Sequence, residues 1–509
     1  MEEFNTTIHW HGLSQRMATF SDGSPVTQWP IAPGRCFDYE VHAEDEDAGT
    51  YFYHSHIGFQ AMSAAGALIV EDHGKAPYEY DEERLIFLQD YYKKSDTILE
   101  HGIVAAPMIW SGEVDSVLIN GIGVAKNETA GTPHCRLPVI DVDPGRTYRL
   151  RFVGATAISM VALGFEDHSE LQVISADGHY TKPAIVDHML LASGQRFEAL
   201  LKTKTMEQLG NKTDYFIQYE TKDRPAVYTG YGVLRYSNAA PVISTKPLRN
   251  PIFLSNNTHD FLEYTLEPLV PNNFPAADEV TRRVYVTNQQ LLKSQTIWQL
   301  NGLNWTEDSI TTEHANTPPY LVDIYKNGPA AMPNYTAALE NNGWDPYTLT
   351  WPAKLGEVLE IILVNTGSIV NGNGGFDYHP FHIHGSHYYD CGSGNGTYDP
   401  DANEEKLKNY SPVLRDTTNL YRYREKGVAG DDEGWRCWRL RVDSPGCWMM
   451  HCHVLQHMIM GMQSVWIMGD YEDIVKIPYS GAEGYLEFGG NAYGGQDITP
   501  SVWHEFDEQ

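Results

Sequence analysis

Cationic side chains are scarce: 36 Lys and Arg face 67 Asp and Glu across 509 residues, leaving a net charge of −31. A surface of that sign repels phosphate backbones and anionic lipid, which argues against partners made of nucleic acid or membrane. No apolar run approaches the ~18 residues that a membrane-spanning helix needs. Cysteine is sparse as well. Cys36, Cys135, Cys391, Cys437, Cys447 and Cys452 are too few to form a disulfide framework for so long a chain. Met1-Glu-Glu-Phe4 opens without the apolar segment of a signal peptide. Stretches with a 3.6-residue apolar period are rare, and that excludes a helical bundle.

Turn formers and strand formers are plentiful instead. The chain has 44 Gly, 28 Pro and 12% aromatic residues. Segments such as Leu85–Gln89, Tyr148–Val153 and Val358–Val364 are rich in β-branched and aromatic residues between Gly, Pro and Asp, so the expected class is all-β. Length gives about three domains of roughly 150 residues. A turn-and-strand phrase recurs at Pro33-Gly34, Pro144-Gly145, Ser193-Gly194 and Leu355-Gly356, each predicting a turn glycine and then a strand with alternating inward and outward side chains. A sharper repeat aligns Gly49–His56 with Gly446–His453, and His9–Gly12 with His382–Gly385. The first and last thirds therefore read as duplicated sandwiches, with a middle third lacking histidine pairs. The expected divisions are 1–75, 76–240, a Pro/Asn/Ser-rich linker at 241–275, 276–475, and a tail at 476–509. N-x-Ser/Thr sequons begin at Asn5, Asn127, Asn211, Asn256, Asn304, Asn334, Asn395 and Asn409, the composition of a glycosylated, secreted protein.

Ten of the 21 histidines fall in four clusters: His9/His11, His54/His56, His379/His382/His384 and His451/His453/His457. Alternate residues of a strand share a face, so each His-x-His pair aims two imidazoles one way. Four pairs supply eight neutral nitrogen ligands, suited to a multinuclear metal site between two related domains. The same parity separates a second site. Cys452 faces away from His451 and His453, and His379 lies an odd number of residues from His382. With His457 they form a His₂Cys set, and Met462, ten residues after the cysteine, is placed as a long axial thioether. That set is the blue-copper type rather than structural zinc. Met458 and Met460 read as core filler. Because Cys452 is bonded to His451 and His453 on either side, an electron taken up at the sulfur has a short path to the cluster. In the duplicate, Ser55 replaces the cysteine.

The motifs H-W-H-G, H-S-H, H-P-F-H-I-H-G and H-C-H-x₃-H-x₄-M, extended by Pro30–Gly34 and Ser175–Gly178, resemble those of the multicopper oxidases, the family of laccases, ascorbate oxidases and ferroxidases. The resemblance implies three cupredoxin-like Greek-key β-sandwich domains and four copper ions: one type 1, one type 2 and two type 3. It carries His9 and His382 over as type 2 ligands, His11, His54, His56, His384, His451 and His453 as type 3 ligands, and Cys452, His379, His457 and Met462 as the type 1 set. Asp22, in Ser21-Asp22-Gly23, resembles the acidic residue that relays protons beside the cluster. Two departures stand out. The chain reaches His9 at once, so the first sandwich is expected to be N-terminally truncated, and Leu455 occupies a position where many relatives have a carboxylate. The implied partners are dioxygen and a small reductant. A laccase-like oxidation of phenols is favoured, with ascorbate oxidase second, ferroxidase third, and an inert copper-binding paralogue as the reading from another class. Asp177 and Glu198 are candidate acceptors of a phenolic proton, against an ordinary place in a turn or on a strand surface.

Overall fold

The computed structural model describes residues 4–15, 18–128, 136–236, 245–307, 317–372, 374–477 and 479–489. Cys135, part of the 241–275 segment and most of the 476–509 tail lie outside these. Among the described residues, strands dominate and are arranged in five sheets. A three-stranded antiparallel sheet contains Ile8–His11, Gly49–Ser55 and Ala65–Val70. Two further pairs of sheets, each pair six plus five strands, are built from residues 82–236 and 282–468. This is the cupredoxin-like sandwich architecture, with parallel pairings between Glu82–Tyr91 and Thr147–Ala155 and between Arg282–Leu292 and Val358–Thr366.

The turn-and-strand phrase holds at three of its four places. Thr147–Ala155, Arg196–Lys202 and Val358–Thr366 follow Gly145, Gly194 and Gly356, whose φ values of +73°, +87° and +85° suit glycine. The fourth differs. Residues 35–44 run outside the sheets, and Tyr39 reaches back to accept a hydrogen bond from the Ile8 N–H at 2.8 Å. The expected in–out alternation also fails in the central strands. All nine residues of Val358–Thr366 are buried because neighbouring elements cover both faces of its sheet. Its one charged residue, Glu360, is balanced by Arg283 and Arg439. The stretch expected to be a linker is anchored at points where described: Leu254, Leu262 and Leu266 are buried and Glu263 pairs with Arg436 at 2.6 Å, while Leu248, Phe253 and Val270 are exposed.

Register positions the site. His9 lies opposite His54 in the first sheet, and His382 lies opposite His451 in the last. Each cross-strand pair puts two imidazoles on one face, and the two faces meet.

Candidate metal centre

All eight cluster histidines are buried and converge. Their ligand nitrogens group as His11/His54/His453, His56/His384/His451 and His9/His382/His384. His9 and His382 approach Nε2 to Nε2 at 3.3 Å, His384 and His451 at 3.2 Å, and His56 and His451 at 3.4 Å. The opposite ring nitrogens explain this orientation. Nδ1–H donates to the main-chain oxygen of Asp22 from His9 (2.7 Å), of Ser55 from His54 (2.8 Å), of Asp416 from His382 (2.9 Å) and of Cys452 from His451 (3.0 Å). His384 donates to the Asp22 carboxylate and His56 to Glu307, both at 2.9 Å. Ser193 gives its own hydroxyl proton to the Thr156 oxygen, so its Oγ accepts from His453 Nδ1 at 2.8 Å. With Nδ1 protonated, Nε2 carries the lone pair and faces inward. Burial, with neighbouring imidazoles, pushes the pKa of His9, His11, His384, His451 and His453 far below the usual histidine range, and that of His54 to about 3. His56 differs: burial opposes its charge, but Glu307 raises it.

Lone pairs aimed at one another in a dry interior repel unless a cation lies between them. The buried Nε2 atoms of His11, His54 and His453 have no protein partner. A polar atom left so is costly, and a metal ion removes the cost. The donor set fits copper.

A second group lies behind Cys452. Its Sγ is 3.7 Å from both His379 Nδ1 and His457 Nδ1, which are 3.1 Å apart. The point equidistant from these three atoms lies about 2 Å from each, the length of a bond from a first-row metal to N or S. Trp298 lies against both rings, at centroid distances of 5.1 and 5.0 Å. Met462 is buried beside the cysteine, its carbonyl accepting from the Cys452 N–H at 3.0 Å. Met458 and Met460 lie in the main hydrophobic core. Burial raises the Cys452 thiol well above its ordinary pKa, so the thiolate form needs a cation to stabilise it.

Several residues around the sites carry no sequence pattern of their own. Arg196, fully buried, binds Asp416 through both terminal nitrogens at 2.7 and 2.5 Å and sits 3.2 Å from His11 Nδ1. Against the burial penalty, Arg196 holds the Asp416 carboxyl far below the usual carboxylate range. Asp377 reaches His457 Nε2 at 3.5 Å and Arg224 at 3.5 Å. Although burial works against its charge, hydrogen bonding from His457 and the charge of Arg224 keep it ionised. Asp22 occupies the turn before Gly23 and also contacts the cluster, and burial raises its pKa to about 7. Asp177 and Glu198 are both placed elsewhere than expected of proton acceptors. Asp177 is in a turn but buried, accepting from Arg415 Nε at 2.6 Å. Glu198 is not on a strand surface: it is buried between Arg149 and Arg151, at 2.5 and 2.8 Å.

A β-sandwich protein with an eight-imidazole cage beside a cysteine-containing site is a multinuclear copper oxidoreductase. Three multicopper oxidase family models match residues 2–75, 82–239 and 316–471. The laccase-like multicopper oxidase 1 of Thermothelomyces thermophilus is 48% identical over all of this chain and 85% of its own length. An L-ascorbate oxidase of Cucumis sativus is 29% identical, over 91% and 80%. The crystal structure of a laccase from Botrytis aclada shares the fold, with a TM-score of 0.70 at 22% identity over 94% of this chain and 80% of that one. The chain belongs to the multicopper oxidase family, enzymes that use oxygen and carry type 1, type 2 and type 3 copper.

Proposed function

We propose that the protein is a laccase-like oxidase of small phenols, taking electrons one at a time and reducing dioxygen to water. Copper, when bound, supplies one-electron oxidation at the sulfur site and four-electron reduction of dioxygen at the cluster. On this reading Cys452, His379 and His457, with Met462 as axial residue, hold type 1 copper. His9 and His382 hold type 2; His11, His54 and His453 hold one type 3 ion, and His56, His384 and His451 the other. The observation that carries the proposal is the continuity of these sites: Cys452 is bonded through the main chain to His451 of one type 3 triad and His453 of the other.

Asp377 supports a phenolic donor. Its carboxylate stays ionised beside His457 Nε2 and is partly open to solvent, so it is placed to accept the proton that a phenol releases as it loses an electron. Asp22, with a pKa near neutrality and contacts to His9 and His384, suits the delivery of protons to the cluster. The identity to the laccase-like relative, well above that to the ascorbate oxidase, also favours phenols. No described helix is long and apolar enough to cross a membrane. Asn127, Asn211, Asn256, Asn334, Asn395 and Asn409 are exposed and open to glycosylation, consistent with a secreted enzyme. Asn304 is not: its amide donates to Trp298 and Met460 oxygens at 2.6 and 2.8 Å. Oxygen uptake by the copper-loaded protein tests the reading. A simple phenol should support fast uptake; uptake with ascorbate or Fe(II) but not phenols would overturn the substrate class, and no uptake with any donor would favour an inert copper protein.

A further inference from the structure

Negative charge is distributed unequally around the cage. Two imidazoles donate to carboxylates at 2.9 Å, His384 to Asp22 and His56 to Glu307, and both belong to the triad His56/His384/His451. The other triad is backed by neutral groups and by one carboxylate whose charge Arg196 already offsets. His54 donates to a main-chain oxygen, His453 to the Ser193 hydroxyl, and His11 faces the Arg196 guanidinium, with Asp416 shared among that cation, His11 and His382. Glu307 stands 251 residues from His56 in the chain, just after Trp305, and is buried.

We propose that Glu307 is a positioning residue for the type 3 copper held by His56, His384 and His451. Its carboxylate fixes the Nδ1–H tautomer of His56, leaves Nε2 for the metal, and places a charge behind that ligand. Together with Asp22 it makes this copper the more tightly held and the harder to reduce of the two type 3 ions. The inference rests on the ligand assignment proposed above. Hydrogen-bonded carboxylates behind ligating histidines typically change metal affinity or activity about 10- to 100-fold.

The experiment compares the copper-loaded wild-type protein with Glu307→Gln and Glu307→Ala. Glutamine keeps an acceptor for His56 and loses the charge; alanine loses both. Copper per chain is measured after dialysis against graded EDTA, and the near-ultraviolet absorption of the coupled pair is followed through a reductive titration. Glu307→Ala should release cluster copper at about 10- to 100-fold lower EDTA than wild type, with its visible blue absorption unchanged. Glu307→Gln should retain copper better than alanine, yet its pair should be reduced at a higher potential than in wild type. If alanine does not yield folded protein, the potential of Glu307→Gln decides. Wild-type retention and potential in the folded variants would overturn the role of Glu307. A wild-type protein with blue absorption but no coupled pair would instead overturn the ligand assignment, and this inference with it.

Discussion

Replacing Arg196 by methionine tests the ion pair that ties the middle sandwich to the last. Arg196 belongs to the strand Arg196–Lys202, and Asp416 lies beside the strand Thr417–Leu420. Their side chains are 0% and 1% exposed and meet through two hydrogen bonds, of 2.7 and 2.5 Å. On the surface such a pair would contribute no more than about 1 kcal/mol. Here, removing the cation leaves a buried carboxylate beside His11 and His382, imidazoles that burial keeps neutral, and breaking a buried pair in this way costs about 3–5 kcal/mol. The Gly194 oxygen also loses its 2.9 Å donor. Copper-stripped Arg196→Met, unfolded in urea and followed by tryptophan fluorescence, should lose stability in that range. Adding Asp416→Asn should restore at least about 2 kcal/mol, because the unpaired charge is gone and contacting residues are not additive. A loss under about 1 kcal/mol, or a double variant equal to the sum of its parts, would refute the reasoning.

Three further outcomes follow from the same geometry. Burial raises Asp22 to about 7 in the folded protein, while an unfolded Asp titrates near 3.9. As pH rises from 4 to 7 the unfolded chain gives up a proton that the folded one keeps, so this group should cost the copper-stripped protein up to about 4 kcal/mol of stability across that window; the buried histidines, held neutral by the fold, act in the opposite sense, so Asp22→Asn should steepen the rise of stability with pH, and an unchanged slope would exclude a contribution from Asp22. Cys452→Ser should abolish the blue absorption and donor oxidation while leaving three coppers per chain; retained colour would refute the sulfur assignment. Asp377→Asn should lower kcat/KM for a phenol about tenfold or more, with little effect on a donor that has no ionisable hydroxyl. Equal losses for both donors would place Asp377 outside proton transfer.

Much of the site was legible because strand geometry turns sequence spacing into direction. Odd spacing puts His379 on the Cys452 side of its strand, and the 3.7 Å contact is the three-dimensional form of that parity. What parity cannot reach is anything assembled across the sandwiches. Arg196 and Asp416 are 220 residues apart, and Glu307 is 251 from His56; none belongs to a periodic pattern. Glu198 was unreadable for the same reason, since its burial depends on Arg149 and Arg151 in the neighbouring strand. The phrase at Pro33-Gly34 matched its repeats, yet the segment after it lies outside the sheets: a strand needs a paired neighbour, and local composition cannot supply one.

X-ray diffraction at the copper absorption edge, from crystals of the copper-loaded protein, tests the central claim directly. Four anomalous peaks are expected: one within bonding distance of Cys452, His379 and His457, and three enclosed by His9, His11, His54, His56, His382, His384, His451 and His453. A sulfur site without metal, or copper outside those imidazoles, would contradict the account.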